Sequence, residues 1–344
     1  MNYKKLDQLI EPFGQPFTTI DSHTAGEPTR LIIDGIPNIP GETMQDKRFY
    51  FQQNLDHIRK RLTREPCGHL GMFTAAVTKP VSPGAQFGLI YMDSRRYPFL
   101  CGHGTIGAVT TLIDIGQIQL NDGKSIITVD TPSGPLKVNV QTKNNRTESV
   151  TLNMVPSFVH KTDQVITLLN STKITTELVC VGGFFVMVNA RQLEFELIPE
   201  NSTALIELGM SIIDLANRQL SVEHPERPEV KTVDVVEFYE NQADQAGHYK
   251  SIVIYGESHM DRSPCGTGTT AKMTLLHHLG QLQIGEDYIS AGPLGTTFTG
   301  RLVVETTIGT QEGVIAQITG NAHITGFHRF IVDNRDPFPE GYLI

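Results

Sequence analysis

Residues 100–116 read L-C-G-H-G-T-I-G-A-V-T-T-L-I-D-I-G, and residues 264–280 repeat this stretch as P-C-G-T-G-T-T-A-K-M-T-L-L-H-H-L-G. Aligned without a gap, both begin with Cys-Gly-x-Gly-Thr and end in glycine, and Cys101 precedes Cys265 by 265 − 101 = 164 residues. Each stretch begins in a glycine-rich turn, continues with helical apolar spacing and stops at a glycine, which predicts a loop leading into a helix. The repetition predicts a chain of two pseudo-symmetric halves.

The elements predicted around the two stretches follow the same order in both halves: strands, a helix, strands, the cysteine loop with its helix, and strands again. In the first half we predict a helix within 41–62 and strands at 17–21, 31–34, 72–77, 87–92, 126–130, 136–140 and 149–155. In the second half we predict a helix over 201–220 behind an asparagine N-cap and strands at 178–189, 231–239, 251–255, 300–307, 313–319 and 323–332.

The order of these elements predicts an α/β (α+β) protein with two similar domains. We place the first at 1–158 and the second at 159–325, and we expect the C-terminal strand, within 326–344, to pack on the first half. A chain of 344 residues is long enough for two hydrophobic cores. No stretch of low complexity separates the halves.

Composition excludes several classes of partner. The hydrophobic fraction of 39% and charged fraction of 19% are ordinary for a globular protein. The net charge of −9 comes without a basic run, which argues against nucleic acid and anionic membranes as partners. No apolar run approaches the ~20 residues of a membrane span, and the N-terminus carries an acid where a signal peptide would be apolar. We therefore expect a cytoplasmic protein that acts on a small molecule.

The four cysteines differ in their surroundings. In a reducing compartment they would remain thiols. Cys180 lies in an apolar, strand-like run, which predicts a buried structural residue. Cys67 is followed by Gly-His, as Cys101 is, but no helical pattern follows it, so we interpret it as structural. Cys101 and Cys265 are the pair whose setting predicts chemistry.

A cysteine at a helix start has a specific chemical environment. The first N–H groups of a helix have no partners within the helix, and the helix dipole adds partial positive charge there. This position therefore favours the thiolate form of a cysteine and the binding of a carboxylate group. The glycines of both loops would let the backbone approach a ligand closely. If both thiols face one α-carbon from opposite sides, one removes the proton and the other returns it, as a racemase or epimerase requires.

Three other interpretations compete with this one. Gly102, Gly104 and Gly107 satisfy the G-x-G-x-x-G pattern of dinucleotide sites, but the loops do not follow the first strand of a βαβ unit. Zinc could use Cys101, His103 and Cys265 with His277 or His278, although Cys-x-His is not a usual zinc spacing and the two histidines lie three turns along the helix. Both cysteines could also be small core residues, but their duplication in one glycine setting argues against this.

The two cysteine loops, together with residues 261–268, resemble the signature motifs of the proline racemase family. Residues 21–30 resemble its N-terminal motif, and the likeness continues through 231–234 to 324–327, so it covers essentially the whole chain. The resemblance implies a fold like that of diaminopimelate epimerase, in which each half wraps a mixed sheet around a central helix. It also implies a homodimer that uses two cysteines and needs no pyridoxal phosphate, metal or nucleotide.

The same resemblance assigns roles to individual residues. Cys101 and Cys265 would transfer the protons, and Asp261 would bind the ring ammonium of the substrate. The backbone amides that hold the substrate carboxylate would be those of Gly102, His103, Gly266 and Thr267. His103 would also support the site through its side chain. Three polar residues of the N-terminal motif could buttress the site: His23, Glu27 and Arg30.

Substrate preference depends on a few positions within the family. Proline racemases carry an aromatic residue at the position of Phe73 and another at the position of Tyr255. The two rings in this sequence therefore favour proline over hydroxyproline as the substrate. The Tyr255 phenol could instead bind a substrate hydroxyl, so a 4-hydroxyproline 2-epimerase remains open. Cys265 itself argues against a trans-3-hydroxy-L-proline dehydratase, which would have threonine there. Cys67 departs from the family, which usually has arginine at this position.

From the sequence we therefore expect an isomerase that racemises proline, or epimerises a hydroxyproline, without a cofactor. A dehydratase and a ligand-binding protein without turnover are the alternatives from other classes.

Overall fold

A computed structural model describes residues 10–13, 15–333 and 335–344. The first nine residues, on which the expectation of a cytoplasmic protein partly depends, lie outside this description. The chain divides into two compact units, one made of residues 1–150 with 321–344 and the other of residues 151–320. From the sequence we placed the two domain boundaries between residues 158 and 159 and between residues 325 and 326.

Strands make up most of the regular structure. In chain order they are β1 Phe17–Thr24, β2 Glu27–Asp34, β3 Phe73–Thr78, β4 Phe87–Asp93, β5 Gly123–Thr131, β6 Gly134–Lys143, β7 Arg146–Asn153, β8 Ser157–Thr167, β9 Lys173–Val181, β10 Gly183–Asn189, β11 Val233–Tyr239, β12 Tyr249–Tyr255, β13 His259–Met260, β14 Asp287–Ala291, β15 Thr297–Ile308, β16 Gln311–Gly320 and β17 Ala322–Phe330. The α-helices are α1 Met44–Asn54, α2 Asp56–Thr63, α3 Gly102–Asp114, α4 Ser202–Gln219 and α5 Gly266–His278.

Strand pairing follows the same succession in both units. In the first unit, β17–β1 and β1–β2 are antiparallel, β2–β3 parallel, β3–β4 antiparallel, β4–β5 parallel and β5–β6 antiparallel. In the second unit, β8–β9 and β9–β10 are antiparallel, β10–β11 parallel, β11–β12 antiparallel, β12–β14 parallel and β14–β15 antiparallel. The predicted duplication is therefore confirmed, and β17 takes the place in the first unit that β8 takes in the second.

The second unit closes its sheet on itself. After β14 and β15, β16 pairs with β15 on one side and with β8 on the other. Since β8 is also the first strand of the succession, the hydrogen-bonded strands form a ring.

One helix in each unit lies against the concave side of the sheet. Helix α3 packs on β1, β2, β3 and β17, and α5 packs on β8, β9, β15 and β16. Most residues of both helices are buried, which explains why small and apolar residues run around the helices rather than along one amphipathic face. The expected α+β fold, with a mixed sheet around a central helix in each half, is confirmed.

The remaining helices cover the outer side of the sheets. Helices α1 and α2 pack on β3, β4 and β5, and α4 packs on β10, β11 and β12. The core under α4 is the larger apolar cluster of the second unit and includes Phe184, Leu205 and Phe238. Cys180 belongs to this cluster and is 1% exposed. Burial raises its pKa to about 12, so it is a structural residue, as predicted.

Two predicted elements are each divided in the structure. The helix predicted within 41–62 is α1 and α2, which meet at Leu55, and a capping box of Thr43 and Asp46 begins the first of them. The strand predicted over 178–189 is β9 and β10, which turn at Gly182 with φ +73°. The apolar run continues through this turn because both strands are buried, so hydrophobic periodicity alone could not locate it.

Other details also differ from prediction. Strands β8 and β14 were not predicted, since their exposed positions are polar and their apolar runs are short. Asn201 does precede α4, but its side chain makes no capping hydrogen bond and instead donates to the Glu196 carbonyl. None of the helices in the described part of the chain combines the length and hydrophobicity that crossing a bilayer requires.

Candidate active site

Cys101 is the N-cap residue of α3, as the sequence predicted. Its backbone is extended, with φ −145°, and its sulfur accepts a hydrogen bond from the Gly104 N–H at 3.4 Å. The Nδ1 atom of His103 lies 3.2 Å from the same sulfur. An imidazole in this position can take the proton of the thiol or return it, so the half-buried Cys101 has a proton partner within its own loop.

Cys265 is the N-cap residue of α5 and repeats this arrangement. The Gly268 N–H donates to its sulfur at 3.4 Å, and the Thr267 hydroxyl lies 3.3 Å from it. Thr267 occupies the position in its loop that His103 occupies in the other, so each sulfur has a polar partner two residues on. Cys265 differs in its backbone, which has φ +60° and ψ 117°, a conformation that costs energy in a residue with a Cβ.

The environment of Cys265 favours the protonated thiol. Its pKa is raised well above the usual value, mainly because the side chain is buried and also because Asp261 is nearby. The hydrogen bonds from Thr267 and Gly268 oppose this shift but do not overcome it. The expectation that a helix start favours the thiolate is therefore wrong for Cys265 in the free protein, because burial outweighs the helix terminus.

Asp261 is built into the loop that leads to Cys265. It is 4% exposed, and its Oδ1 atom accepts hydrogen bonds from the Ser263 N–H at 2.8 Å and from the Ser263 hydroxyl at 2.7 Å. The Ser263 hydroxyl oxygen in turn accepts from the Cys265 N–H at 3.1 Å. This chain of bonds fixes the carboxyl group relative to the thiol loop.

Phe73, the first residue of β3, lies against the Cys101 loop. Its ring meets the His103 imidazole edge-on, with centroids 4.7 Å apart. A Cβ placed on Gly104 would lie only 2.6 Å from the Phe73 ring. Thr24 holds the loop from another side, since its hydroxyl donates to the His103 carbonyl at 2.9 Å. The structure therefore brings Phe73, Cys101, Gly102 and His103 together in the first unit.

In the second unit, Tyr255 ends β12 and is half-buried. Its ring lies 4.7 Å from that of His259, its partner in the short β13 strand. Asp261 follows β13 directly, and the Asp261 N–H donates to the Val253 carbonyl of β12 at 3.0 Å. Gly266 and Thr267 are the first two residues of α5, so the end of β12 and the start of the helix are joined through Asp261.

Several glycines of the two repeated motifs pack closely against neighbouring side chains. A Cβ on Gly268 would lie 2.6 Å from the Val253 side chain, and one on Gly107 would lie 2.9 Å from the Thr29 hydroxyl. Gly266 does have room, because its nearest neighbour would be Met154 at 3.7 Å. At Gly104 and Gly268 the space that a side chain would need is therefore taken by Phe73 and Val253, and the close approach of a ligand to the loop backbone stays a prediction. Close helix–strand contact explains the G-x-G-x-x-G pattern without a nucleotide.

The polar N-terminal motif forms the β1–β2 hairpin. Arg30 is buried and binds both carboxylate oxygens of Asp21 as well as the carbonyl oxygens of Leu62 and Cys67. His23 Nδ1 accepts from the Gly26 N–H at 3.2 Å, and burial lowers the pKa of this imidazole, with a smaller contribution from His323. The contacts of Arg30 are those of a residue that supports the fold.

The structure does not support the zinc site that was considered from the sequence. His277 is 12 residues beyond Cys265, which places it about 18 Å along the helix. Its Nδ1 atom lies 2.9 Å from the Leu282 carbonyl oxygen, and its Nε2 atom lies 3.3 Å from Glu305. Within the described ranges, no group of three or more His, Cys, Asp or Glu side chains is arranged to hold a metal ion.

Sequence reasoning missed two charged residues near Cys265. Glu237 in β11 is 0% exposed and Lys272 in α5 is 2% exposed. Each interrupts a buried run, V-D-V-V-E-F-Y in one case and T-T-A-K-M-T-L-L in the other. A charged residue within an apolar pattern is rarely buried without a partner, and this signal could have identified both.

Comparison with known proteins agrees with this architecture. The sequence model of the family described as proline racemase matches residues 19–343. A proline racemase from Clostridioides difficile is 38% identical over 332 residues, covering 96% of this chain and 99% of the relative. A 4-hydroxyproline 2-epimerase from Streptosporangium roseum is 34% identical over 328 residues, covering 95% and 98%. The crystal structure of a hydroxyproline epimerase from Agrobacterium vitis, with bound trans-4-hydroxy-L-proline, matches with a TM-score of 0.85 at 29% identity, covering 96% of this chain and 95% of that one.

The fold and these relatives define the class of amino-acid racemases and epimerases, which are isomerases. Within that class, the chain belongs to the proline racemase family. The resemblance stated from the sequence motifs is confirmed.

Proposed function

We propose that this protein racemises proline at the α-carbon without a cofactor, with Cys101 and Cys265 as the two proton-transferring groups. One observation carries the proposal: each copy of the duplicated motif holds a sulfur at the N-cap of a central helix, beside a helix amide and a polar side chain. Membership of the proline racemase family supports the reaction type.

In the proposed reaction each thiol serves one face of the substrate. One cysteine, as thiolate, takes the α-proton: an S–H bond forms, the C–H bond breaks, and the electron pair is delocalised towards the carboxylate. The other cysteine, as thiol, delivers its proton to the opposite face of the planar carbanion. The raised pKa of Cys265 suits it to the donor role in the free protein, and the His103 ring beside Cys101 can accept a proton. The reverse reaction exchanges the two roles.

Substrate binding follows from the helix termini. We propose that the backbone amides of Gly102, His103, Gly266 and Thr267 hold the substrate carboxylate, because helix N-termini attract anions. The buried Asp261 carboxyl would bind the ring ammonium. Its fixed position two residues from Ser263, which bonds to the Cys265 amide, supports this role.

A second candidate substrate is 4-hydroxyproline. Phe73 and Tyr255 offer two rings, which favours unsubstituted proline, but the Tyr255 phenol could bond a ring hydroxyl. One relative at 34% identity is a 4-hydroxyproline 2-epimerase, and another at 38% is a proline racemase. A dehydratase is the less favoured alternative because a second cysteine is present to reprotonate the α-carbon.

The test is solvent exchange followed by NMR in deuterium oxide, with L-proline, trans-4-hydroxy-L-proline and trans-3-hydroxy-L-proline in parallel. We expect deuterium at the α-carbon and the formation of the opposite configuration, faster with proline. Loss of water from trans-3-hydroxy-L-proline, whose hydroxyl lies next to the α-carbon, would give a ketimine and show a dehydratase instead. No reaction with proline or 4-hydroxyproline would contradict the proposal.

Matched variants test the two thiols. We expect Cys101→Ser and Cys265→Ser each to slow exchange by about 100-fold or more, since each removes a general acid or base. Cys67→Ser is the control: the Arg30 bond to residue 67 is made by the backbone carbonyl, so activity should be retained. Pyrrole-2-carboxylate, a flat analogue of the carbanion, should inhibit competitively. Near-native turnover in either single variant of Cys101 or Cys265 would exclude the two-thiol mechanism.

We also propose a cytoplasmic homodimer. All four cysteines are free thiols, which is consistent with a reducing compartment. The dimer is an expectation from the family, and light scattering of the purified protein would test it. Full activity after dialysis against a chelator would test independence from metal.

A further inference from the structure

The carboxyl group of Glu237 lies beside the first turn of the helix that carries Cys265. A Cβ placed on Gly268 would lie 3.1 Å from Glu237 Oε2 and 3.3 Å from Cys265 Cβ. The carboxyl and the cysteine side chain therefore approach the same point of α5. The absence of a side chain at residue 268 is what allows the carboxyl to come so close.

Glu237 is buried without a hydrogen bond of ordinary geometry. It is 0% exposed, and within the described part of the chain neither carboxyl oxygen meets the geometric criteria for a hydrogen bond, although the Ser251 hydroxyl is near enough to lower the pKa of the carboxyl. The Ser251 hydroxyl, on the neighbouring strand β12, is likewise buried and unbonded in the part of the chain that the structure describes. A carboxylate in such a place is costly, whereas a neutral carboxyl is tolerated. Packing alone would favour an apolar residue here.

Lys272 provides the nearest opposite charge. It follows Gly268 by four residues in α5, so both lie on one face of the helix. Its ammonium group donates to the Asn241 side-chain oxygen at 2.8 Å and lies 3.4 Å from the centre of the Tyr239 ring. Other titratable residues lie around Glu237 and Lys272. They are Glu177 on β9, Tyr239 on β11, Tyr288 on β14 and Asp261 in the loop before α5.

We propose that Glu237, with Lys272 as its counter-charge, is a positioning residue that sets how readily the Cys265 thiol releases and regains its proton. This inference rests on the proposed function, in which Cys265 transfers the proton. Glu237 acts through Cys265 and does not touch the substrate. A negative charge beside the thiol makes the thiolate less favourable and so maintains Cys265 as an acid.

The titration of these groups is consistent with the geometry. Burial raises the pKa of Glu237 to about 8, although Lys272 opposes the shift. Burial also lowers the pKa of Lys272 to about 7. In its ionised form Glu237 contributes to the raised pKa of Cys265, and the positive charge of Lys272 holds the pKa of Glu237 below the value that burial alone would give.

The test is the pH profile of Cys265 alkylation by iodoacetamide, quantified on the Cys265 peptide by mass spectrometry. Glu237→Gln removes the charge and keeps the shape of the side chain, so we expect the profile to move to lower pH. At a fixed pH above 8 the rate should rise by about threefold or more, because removing the charge lets a larger fraction of the thiol ionise. Burial of Cys265 slows its reaction with iodoacetamide in the wild-type protein and the variant alike. The pH at the midpoint of the profile therefore reports the ionisation of the Cys265 thiol.

Two further variants make the result decisive. Glu237→Leu removes the charge without introducing an amide that needs partners, and it should move the profile in the same direction if the Gln variant does not fold. Glu305→Gln is the matched control, because Glu305 is 71% exposed and pairs with His277 near the other end of α5. An unchanged profile in a folded Glu237 variant would overturn the inference. Because alkylation needs no turnover, this result is independent of whether the protein racemises proline.

Discussion

Gly266 and Gly268 occupy neighbouring positions in one motif but have different surroundings. A Cβ on Gly268 would collide with Val253 and approach Glu237, whereas one on Gly266 would meet only Met154 at an ordinary distance. Both glycines are part of the repeated Cys-Gly-x-Gly pattern, so the sequence could not distinguish them. The difference arises from β11 and β12, which are distant in sequence.

Gly268→Ala should therefore destabilise the protein, and Gly266→Ala should not. Forcing a methyl group against Val253 should lower the free energy of unfolding by about 1 to 3 kcal/mol. At residue 266, alanine fits in the first turn of the helix and has the better helix propensity, so stability should be equal or slightly higher. Urea denaturation followed by circular dichroism would measure both. Equal stability of the two variants would contradict this assignment of space.

The protonation of Cys265 shows where residue-scale prediction from the sequence stops. The motif correctly predicted a cysteine at a helix N-terminus, because capping is local and is visible in consecutive residues. Whether the thiol is ionised depends on burial and on Asp261 and Glu237, which contribute to its pKa. The last of these comes from another strand, and its effect could not be inferred from the motif.

At the scale of elements, the β1–β2 hairpin depends on one buried arginine. Arg30 binds Asp21 across the hairpin at 2.8 Å, and its guanidinium group lies 4.3 Å from the centre of the Phe330 ring in β17. It also binds the carbonyl oxygen of Leu62, near the end of α2. A single side chain thus links two strands of the hairpin with a third strand and a helix.

Arg30→Met should be strongly destabilising. The change removes the strongest partner of the Asp21 carboxylate and the arginine donor of two carbonyl groups, so we expect a loss of about 3 kcal/mol or more in the free energy of unfolding. Arg301→Met is the control, because Arg301 pairs with Asp287 at 2.7 Å but both side chains are half exposed. The free energy of unfolding of the Arg301→Met variant should fall by no more than about 1 kcal/mol. Thermal unfolding would measure both variants, and similar losses would show that the Arg30 contacts are not supporting the fold.

Elements whose signals are local were predicted well. The helices that follow the cysteine loops and most strands lie where the sequence placed them. The misses have physical causes: the β9–β10 turn lies inside a continuous apolar run, and β8 has a largely polar exposed face. Pairing partners, such as β17 with β1, involve residues about 300 positions apart and are not encoded in local periodicity.

At the scale of the whole molecule, the two units are built from the same succession of strands but from different stretches of chain. The second unit is continuous, from residue 151 to residue 320. The first needs both ends of the described chain, because β17 pairs with β1 along its whole length. The repeated motif predicted the duplication, and the C-terminal strand was expected to pack on the first half.

This difference predicts how fragments will behave. A fragment of residues 151–320 should fold cooperatively, because its strands pair in a closed ring and its cores are complete. Residues 1–150 alone should not, since β1 lacks its neighbour, but joining residues 321–344 to them through a short glycine-rich linker should restore folding. Circular dichroism and urea unfolding would compare the three fragments. A cooperative transition in residues 1–150 alone would contradict the role given to β17.

The position of β17 in the chain also affects how the protein is made. A ribosome releases all strands of the second unit before it releases β17, so the nascent chain can complete its later half first. The earlier half must wait, with one edge of β1 uncovered, until β17 has been made. For this protein the order of synthesis and the order of completion are therefore reversed.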